Sequence, residues 1–168
     1  MKTLLTLILI VLLAAAGFYV YNAQTNAPEE PSHKQVNEPS PVPAFTTLNR
    51  SNQGLTKLPS EILSMTNLQQ LNISNNRLTG ALPAEIRHLQ NLEILNISNN
   101  QMTGLPAEIG QLSKLRVLDA SNNKLTGIPH ELGNLQKLEV LDLSDNDISE
   151  YDLNIIRERL PKTTEIIL

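Results

Sequence analysis

The chain of 168 residues contains no cysteine and no tryptophan. Without cysteine there can be no disulfide framework, thiolate zinc site, iron–sulfur cluster, thiol nucleophile or lipobox-type lipid anchor. Aromatic residues are 3% of the sequence. Phe18, Tyr19 and Tyr21 crowd near the N-terminus, which leaves only Phe45 and Tyr151 for everything after it. Stacking on bases or sugars therefore has almost no material. Positive charge is also scarce: 13 Lys and Arg stand against 17 Asp and Glu, a formal net charge of −4. That balance has the wrong sign for a phosphate-binding surface, so no nucleic-acid partner is expected. The apolar content is chiefly Leu and Ile, so a core must come from repeated aliphatic contacts.

Residues 1–21 carry an export signal. Thr3 to Val20 is free of charge, and as a helix it would be about 27 Å long, enough to cross a thin hydrocarbon core. Tyr19 and Tyr21 suit a headgroup-level belt, and Lys2 places the N-terminus on the cytoplasmic side by the positive-inside rule. The run Leu4 to Leu13 followed by Ala14, Ala15 and Ala16 also fits a signal peptide with its cleavage site. Two states stay open: a single-pass anchor through residues 3–20, or a secreted or periplasmic protein released by cleavage near Ala16. Residues 22–43 hold Pro28, Pro31, Pro39, Pro41 and Pro43, half of the ten prolines, and few apolar side chains. This linker favours polyproline II and could hold the next domain about 70 Å from a membrane at about 3.1 Å per residue.

Residues 44–168 repeat themselves. Residues 68–91 read LQQLNISNNRLTGALPAEIRHLQN, residues 92–114 LEILNISNNQMTGLPAEIGQLSK and residues 115–137 LRVLDASNNKLTGIPHELGNLQK. The copies align throughout except for the inserted Ala81. A partial copy (45–67) precedes them and a diverging one (138–162) follows, so five copies tile residues 45–162. Around Leu71 and Ile73, Leu95 and Ile97, Leu118 and Ala120, and Leu141 and Leu143, apolar and polar residues alternate as in a half-buried strand. Equivalent strands in successive copies run the same way, so they pair as a parallel sheet with inward leucines stacked from copy to copy. A carboxamide recurs after each strand (Asn76, Asn100, Asn123 and Asn146), where a side chain with both donors and acceptors can satisfy the backbone of a bend. Gln53 replaces it in the first copy. Leu-Pro or Ile-Pro then opens a return segment in which Ile86 and Leu89, Ile109 and Leu112, and Leu132 and Leu135 are spaced for the core side of a short helix or 3₁₀ turn. Glu61, Glu85, Glu108 and Glu131 recur near these helix starts, where the positive end of a helix favours an acid.

The pattern L-x-x-L-x-L-x-x-N-x-L in each copy resembles that of leucine-rich repeat proteins, and the L-T-G-x-[IL]-P-x-E-[IL]-G-x-L segment of the central copies is similar to the typical and plant-type subclasses. The resemblance covers about three quarters of the chain and implies an α/β solenoid. Such a solenoid is a short right-handed horseshoe with a parallel β-sheet on the concave face and short helical or 3₁₀ segments on the convex side. The lack of cysteine caps departs from many extracellular eukaryotic members and implies a microbial or otherwise non-cysteine-capped lineage. At the ends, Arg50 occupies an inward position, tolerable where the side chain can reach water. Ser149 and Asp152 resemble a capping box before a helix through Leu153, Ile156 and Leu160, and TTEIIL supplies a last strand.

The concave wall is expected to expose Thr47, Gln70, Ile94, Val117 and Val140 in one column, and Asn49, Asn72, Asn96, Asp119 and Asp142 in the next. A serine column follows, and then Asn52, Asn75, Asn99, Asn122 and Asp145. Gln70, Asn72, Ile94, Asn96, Val117, Asp119, Val140, Asp142 and Asp145 are the candidate partner-binding residues, with Ile94, Val117 and Val140 as an apolar stripe beside acids. A protein or peptide with a basic rim and an aliphatic knob would suit them. Asp142, Asp145, Asp147 and Asp152 invite a calcium reading, but no D-x-[DN]-x-[DN]-G loop accompanies them, so no metal and no cofactor is expected. The sequons at Asn49, Asn72 and Asn96 fall within strands and read as products of the repeat. His88 and His130 lie in return segments away from the serine column, so no catalytic constellation forms. The sequence thus points to a non-enzymatic, monomeric protein-interaction module outside the cytoplasm, or alternatively a secreted ligand binder or inhibitor.

Overall fold

The computed structural model describes residues 46–168. The apolar segment 3–20 and the linker 22–43 lie outside the described residues. Among the described residues no helix is long and apolar enough to cross a membrane.

Each copy begins with a three-residue strand: β1 (Thr47–Asn49), β2 (Gln70–Asn72), β4 (Ile94–Asn96), β6 (Val117–Asp119) and β7 (Val140–Asp142), with β8 (Glu165–Ile167) closing the series. These strands form one parallel sheet in the order β1-β2-β4-β6-β7-β8. Register is identical at every step, so Leu48, Leu71, Leu95, Leu118, Leu141 and Ile166 form one row across the sheet. The row explains the sheet. A single copy exposes its leucine to water, whereas a leucine between two copies is fully desolvated, worth about 1.5–3 kcal/mol per side chain. Leu71, Leu95, Leu118 and Leu141 are buried, while Leu48 and Ile166 at the two ends are only partly so.

The return segments are 3₁₀ turns at Ser60–Ser64, Ala84–His88, Ala107–Gln111 and His130–Asn134, each preceded by a proline at the capping position. Five residues are too few for a stable α-helix, and the i, i+3 spacing of Ile86 with Leu89 matches the three-residue turn. Both side chains are buried, as are Ile109, Leu112, Leu132 and Leu135. Glycine decides how closely neighbouring turns approach. A Cβ on Gly110 would collide with the backbone carbonyl of Glu131, and one on Gly133 would lie 2.7 Å from Cβ of Arg159. Leu63 and Arg87 hold the corresponding positions in the first two copies. There the turns leave a groove of about 430 Å³ lined by Leu58, Ser60, Leu63, Ser64, Pro83, Glu85 and His88.

A feature absent from the sequence expectations is a second, two-stranded parallel sheet of β3 (Thr79–Gly80) and β5 (Gln101–Met102). Its first strand ends immediately before the inserted residue: Gly80 adopts φ +71°, and Ala81 is exposed in the lengthened corner. The terminal α-helix, Glu150–Arg159, replaces the return turn of the last copy and packs Leu153 and Ile156 into the core. The expected capping box is not formed. Ser149 holds the N-cap position but makes no side-chain capping bond. The Asp152 carboxylate lies instead 3.3 Å from Nε2 of His130, drawn outward to the neighbouring return turn.

Candidate functional site

The concave face is assembled from the bends that end each strand. In the column Asn49, Asn72, Asn96, Asp119 and Asp142, every Oδ1 accepts the backbone N–H of the serine two residues on, at 2.9–3.1 Å. This is an Asx-turn, which lets the chain leave the strand without orphaning an amide. The hydroxyls of Ser98, Ser121 and Ser144 donate to the same oxygens at 2.6–2.7 Å. The serine hydroxyls are thereby committed within their own turns, while His88 and His130 stand in or at the return turns. Among the described residues no group of three or more His, Asp or Glu is placed to hold a metal ion.

The next position takes the left-handed conformation in all five copies: Asn52, Asn75, Asn99, Asn122 and Asp145 have φ between 51° and 58°. Asn and Asp are the non-glycine residues that tolerate this region, because their short polar side chains can bond locally. Nδ2 of Asn75 donates to Oγ of Ser74 at 3.1 Å, and Asn52 and Asn99 repeat the contact at 3.4 Å. These side chains are exposed and stand at the outer edge of the wall.

Behind them runs the carboxamide ladder, buried at Asn76 and Asn100 and half-buried at Asn123 and Asn146. Nδ2 of Asn100 donates to the carbonyls of Ile73, Ile97 and Ser98 at 3.0–3.1 Å, and its Oδ1 accepts Leu78 N–H at 3.1 Å. Asn123 and Asn146 repeat this set one and two copies on. Asn76 accepts two backbone amides, from Gln53 and Leu55. Gln53 is exposed.

The structure places the candidate binding residues unequally. Gln70, Asn72, Ile94, Asn96 and Asp119 are half-buried on the wall, and Asp145 is exposed. Val117, Val140 and Asp142 differ from their expected exposure: they are 5%, 6% and 7% accessible. Val117 is flanked in register by Ile94 and Val140, and Val140 by Val117 and Glu165. On a parallel sheet such lateral neighbours cover a short β-branched side chain. Asp142 is covered with them and serves its Asx-turn. The apolar stripe therefore narrows to Ile94. Asn75, Asn99 and Asn122, which are not among the residues expected to bind, are exposed on the wall. The signal available was the recurring S-[ND]-[ND] triplet, in which the first Asn or Asp must bend the chain and so projects its side chain outward.

Along the rim before the strands, Arg116 forms a bidentate pair with Glu139 at 2.8 and 3.0 Å, and Glu93 lies 3.8 Å from its other nitrogen. The hydrogen bonds that Arg116 donates to the Glu139 carboxylate raise its pKa above the ordinary value. Next to this pair, Gln136, Lys137, Leu138, Pro161 and Thr163 complete a shallow groove of about 330 Å³.

Residues 60–166 match the leucine-rich repeat region family. No curated protein matches the chain significantly. Among solved structures, an LRR protein of Leptospira interrogans is 43% identical with a TM-score of 0.63, the match covering 67% of this chain and 28% of that one. The LRR ectodomain of the receptor kinase SOBIR1 from Arabidopsis thaliana is 34% identical with a TM-score of 0.53, over 62% of this chain and 56% of that one. The plant peptide hormone receptor RGFR1, solved in complex with RGF2, is 30% identical with a TM-score of 0.56, over 67% of this chain and 18% of that one. The chain thus spans less than two thirds of the length of each. With the repeating strands, the stacked leucines, the carboxamide ladder and the family match in agreement, the chain belongs to the leucine-rich repeat family.

Proposed function

We propose that residues 44–168 are a non-enzymatic protein-interaction module that binds a protein or peptide through the concave face, displayed outside the cytoplasm by the apolar segment within residues 1–21 and the spacer 22–43. The observation that carries the reading is the open wall itself. Six strands in one register set side chains side by side, and the column Asn75, Asn99, Asn122, Asp145 stands accessible along it. Support comes from two of the similar structures, one an LRR ectodomain of a receptor kinase and one a plant peptide hormone receptor in complex with RGF2. The accessible binding set is Gln70, Asn72, Ile94, Asn96, Asp119 and Asp145 together with Asn75, Asn99 and Asn122, with Val117, Val140 and Asp142 as the buried bed beneath it. Ile94 supplies the apolar contact and Asp119 and Asp145 the acid, which favours a partner with a cationic rim. Without an aromatic anchor on the wall, affinity is modest.

The test is to pan a random peptide library against the full chain. Enriched peptides should be rich in Lys or Arg and should lose binding to the Ile94→Arg, Asp145→Lys double variant. Enrichment of peptides indifferent to both substitutions ends the concave-face proposal. Fractionation with intact-mass measurement tests the display: the repeat domain should be found outside the cytoplasmic fraction, with residues 3–20 retained if the segment is an anchor.

A further inference from the structure

The sheet has two edges, and they differ. Edge strands offer unpaired N–H and C=O groups to any extended chain, and proteins blunt them with inward-pointing charges, lysine, proline, bulges or a covering element. At the β1 edge the protection is present: Arg50 occupies the inward column held by Ile73, Ile97, Ala120 and Leu143 in the other copies, and it is exposed. At the β8 edge the described residues offer only the shortness of the strand and the single charge of Glu165. Glu165–Ile167 contains no lysine and no proline, and its inward residue is Ile166, which packs on the core while staying only partly buried. The terminal helix packs against the return turn His130–Asn134.

The hydrogen-bonding direction is fixed by the pairing with β7. Glu165 N–H donates to the carbonyl of Glu139 at 2.8 Å, and Leu143 N–H donates to the carbonyl of Ile167 at 2.9 Å. Alternate residues of a parallel strand bond to the same side. Ile166 therefore turns its N–H and C=O the other way, where no described strand pairs with β8. Two residues of this strand face the concave side: Glu165, its only charge, in register with Val140, and Ile167, in register with Asp142.

We propose that β8 is a strand-addition site for an extended segment of a partner protein that carries adjacent cationic and aliphatic residues. The added strand bonds Ile166 through its backbone. It sets Lys or Arg beside Glu165 on the concave side and an aliphatic side chain beside Ile166 on the core side, extending the leucine row by one rung. Backbone bonds supply affinity and the alternating side chains supply selection. A second copy of this chain fits less well. Its β1 would bring Thr47 rather than a cation opposite Glu165, and Arg50 into the inward row.

This site is separate from the concave-face binding proposed above, and the test keeps the two apart. A fluorescent peptide, Ser-Thr-Thr-Lys-Ile-Val-Thr-Ser, is titrated against the full chain by anisotropy. Binding is expected to depend on parity: N-methylation of one alternate set of backbone nitrogens weakens it by about tenfold or more, and methylation of the other set leaves it intact. Glu165→Lys should weaken the Lys peptide by about fivefold and favour its Lys→Glu counterpart. The Ile94→Arg, Asp145→Lys variant should bind the peptide unchanged. Absence of binding, or equal loss from both methylation patterns, overturns the proposal. Self-association of the chain in place of peptide binding overturns it as well, by giving the edge to a second copy.

Discussion

At the scale of the residue, asparagine does most of the structural work, in two roles that differ by one position. Asn100 is buried and spends its carboxamide on four backbone groups. Asn100→Ala strands those groups, and chemical denaturation should show a loss of at least about 1–3 kcal/mol. Asn99 sits one position earlier at φ 54°, exposed and conformationally constrained. Asn99→Gly should therefore stay within about 0.5 kcal/mol of the parent, whereas Asn99→Val should cost about 1–2 kcal/mol. A pair of melting curves separates the two roles: if both substitutions at Asn99 are silent, the left-handed turn is not what selects the residue. The ladder was legible in the sequence because it recurs once per copy among apolar neighbours. The left-handed column was readable only as a run of polar letters, since a backbone dihedral leaves no trace in hydropathy. The burial of Val117 and Val140 was hidden for a related reason. Alternation assigns a side chain to a face, but lateral cover depends on which residues stand beside it in the neighbouring strands.

At the scale of the element, strands and return turns follow from period and spacing, and their positions were legible to within a residue or two. The 3₁₀ form was set by the i, i+3 pairs. The small β3–β5 sheet was not foreseen, because two-residue strands carry no period. Closeness between return turns depends on single glycines, which gives a sharp contrast. Gly110→Ala drives a methyl into the Glu131 backbone and should cost about 1–3 kcal/mol. Gly104→Ala meets nothing within 4 Å, at a φ outside the left-handed region, and should be neutral or slightly stabilising in the same unfolding assay. The terminal helix seals the last copy through Leu153 and Ile156. Ile156→Ala should cost about 2–5 kcal/mol by leaving a cavity at a fully buried site. Arg116, by contrast, is half-exposed with its acidic partners, so Arg116→Ala should change stability by no more than about 1 kcal/mol.

At the scale of the whole molecule, each copy leans only on its neighbours, so stability is distributed along the stack and thins toward an end. Leu48, Leu55 and Met65 of the first copy are partly buried, while Leu95 and Leu118 in the middle are fully so. Native-state hydrogen exchange should accordingly show the amides of β1 and its bend opening first and those of β4 and β6 last. Uniform protection from β1 to β7 would mean that the stack opens only as one unit.

Ala81 shows how a stack of this kind can be edited. The second copy carries one residue more than its neighbours, yet β2 pairs with β4 in the same register as every other step, because Gly80 turns the excess outward into solvent. The corner between Gly80 and Leu82 is a natural grafting point, where a foreign loop could be spliced in without disturbing the rungs on either side.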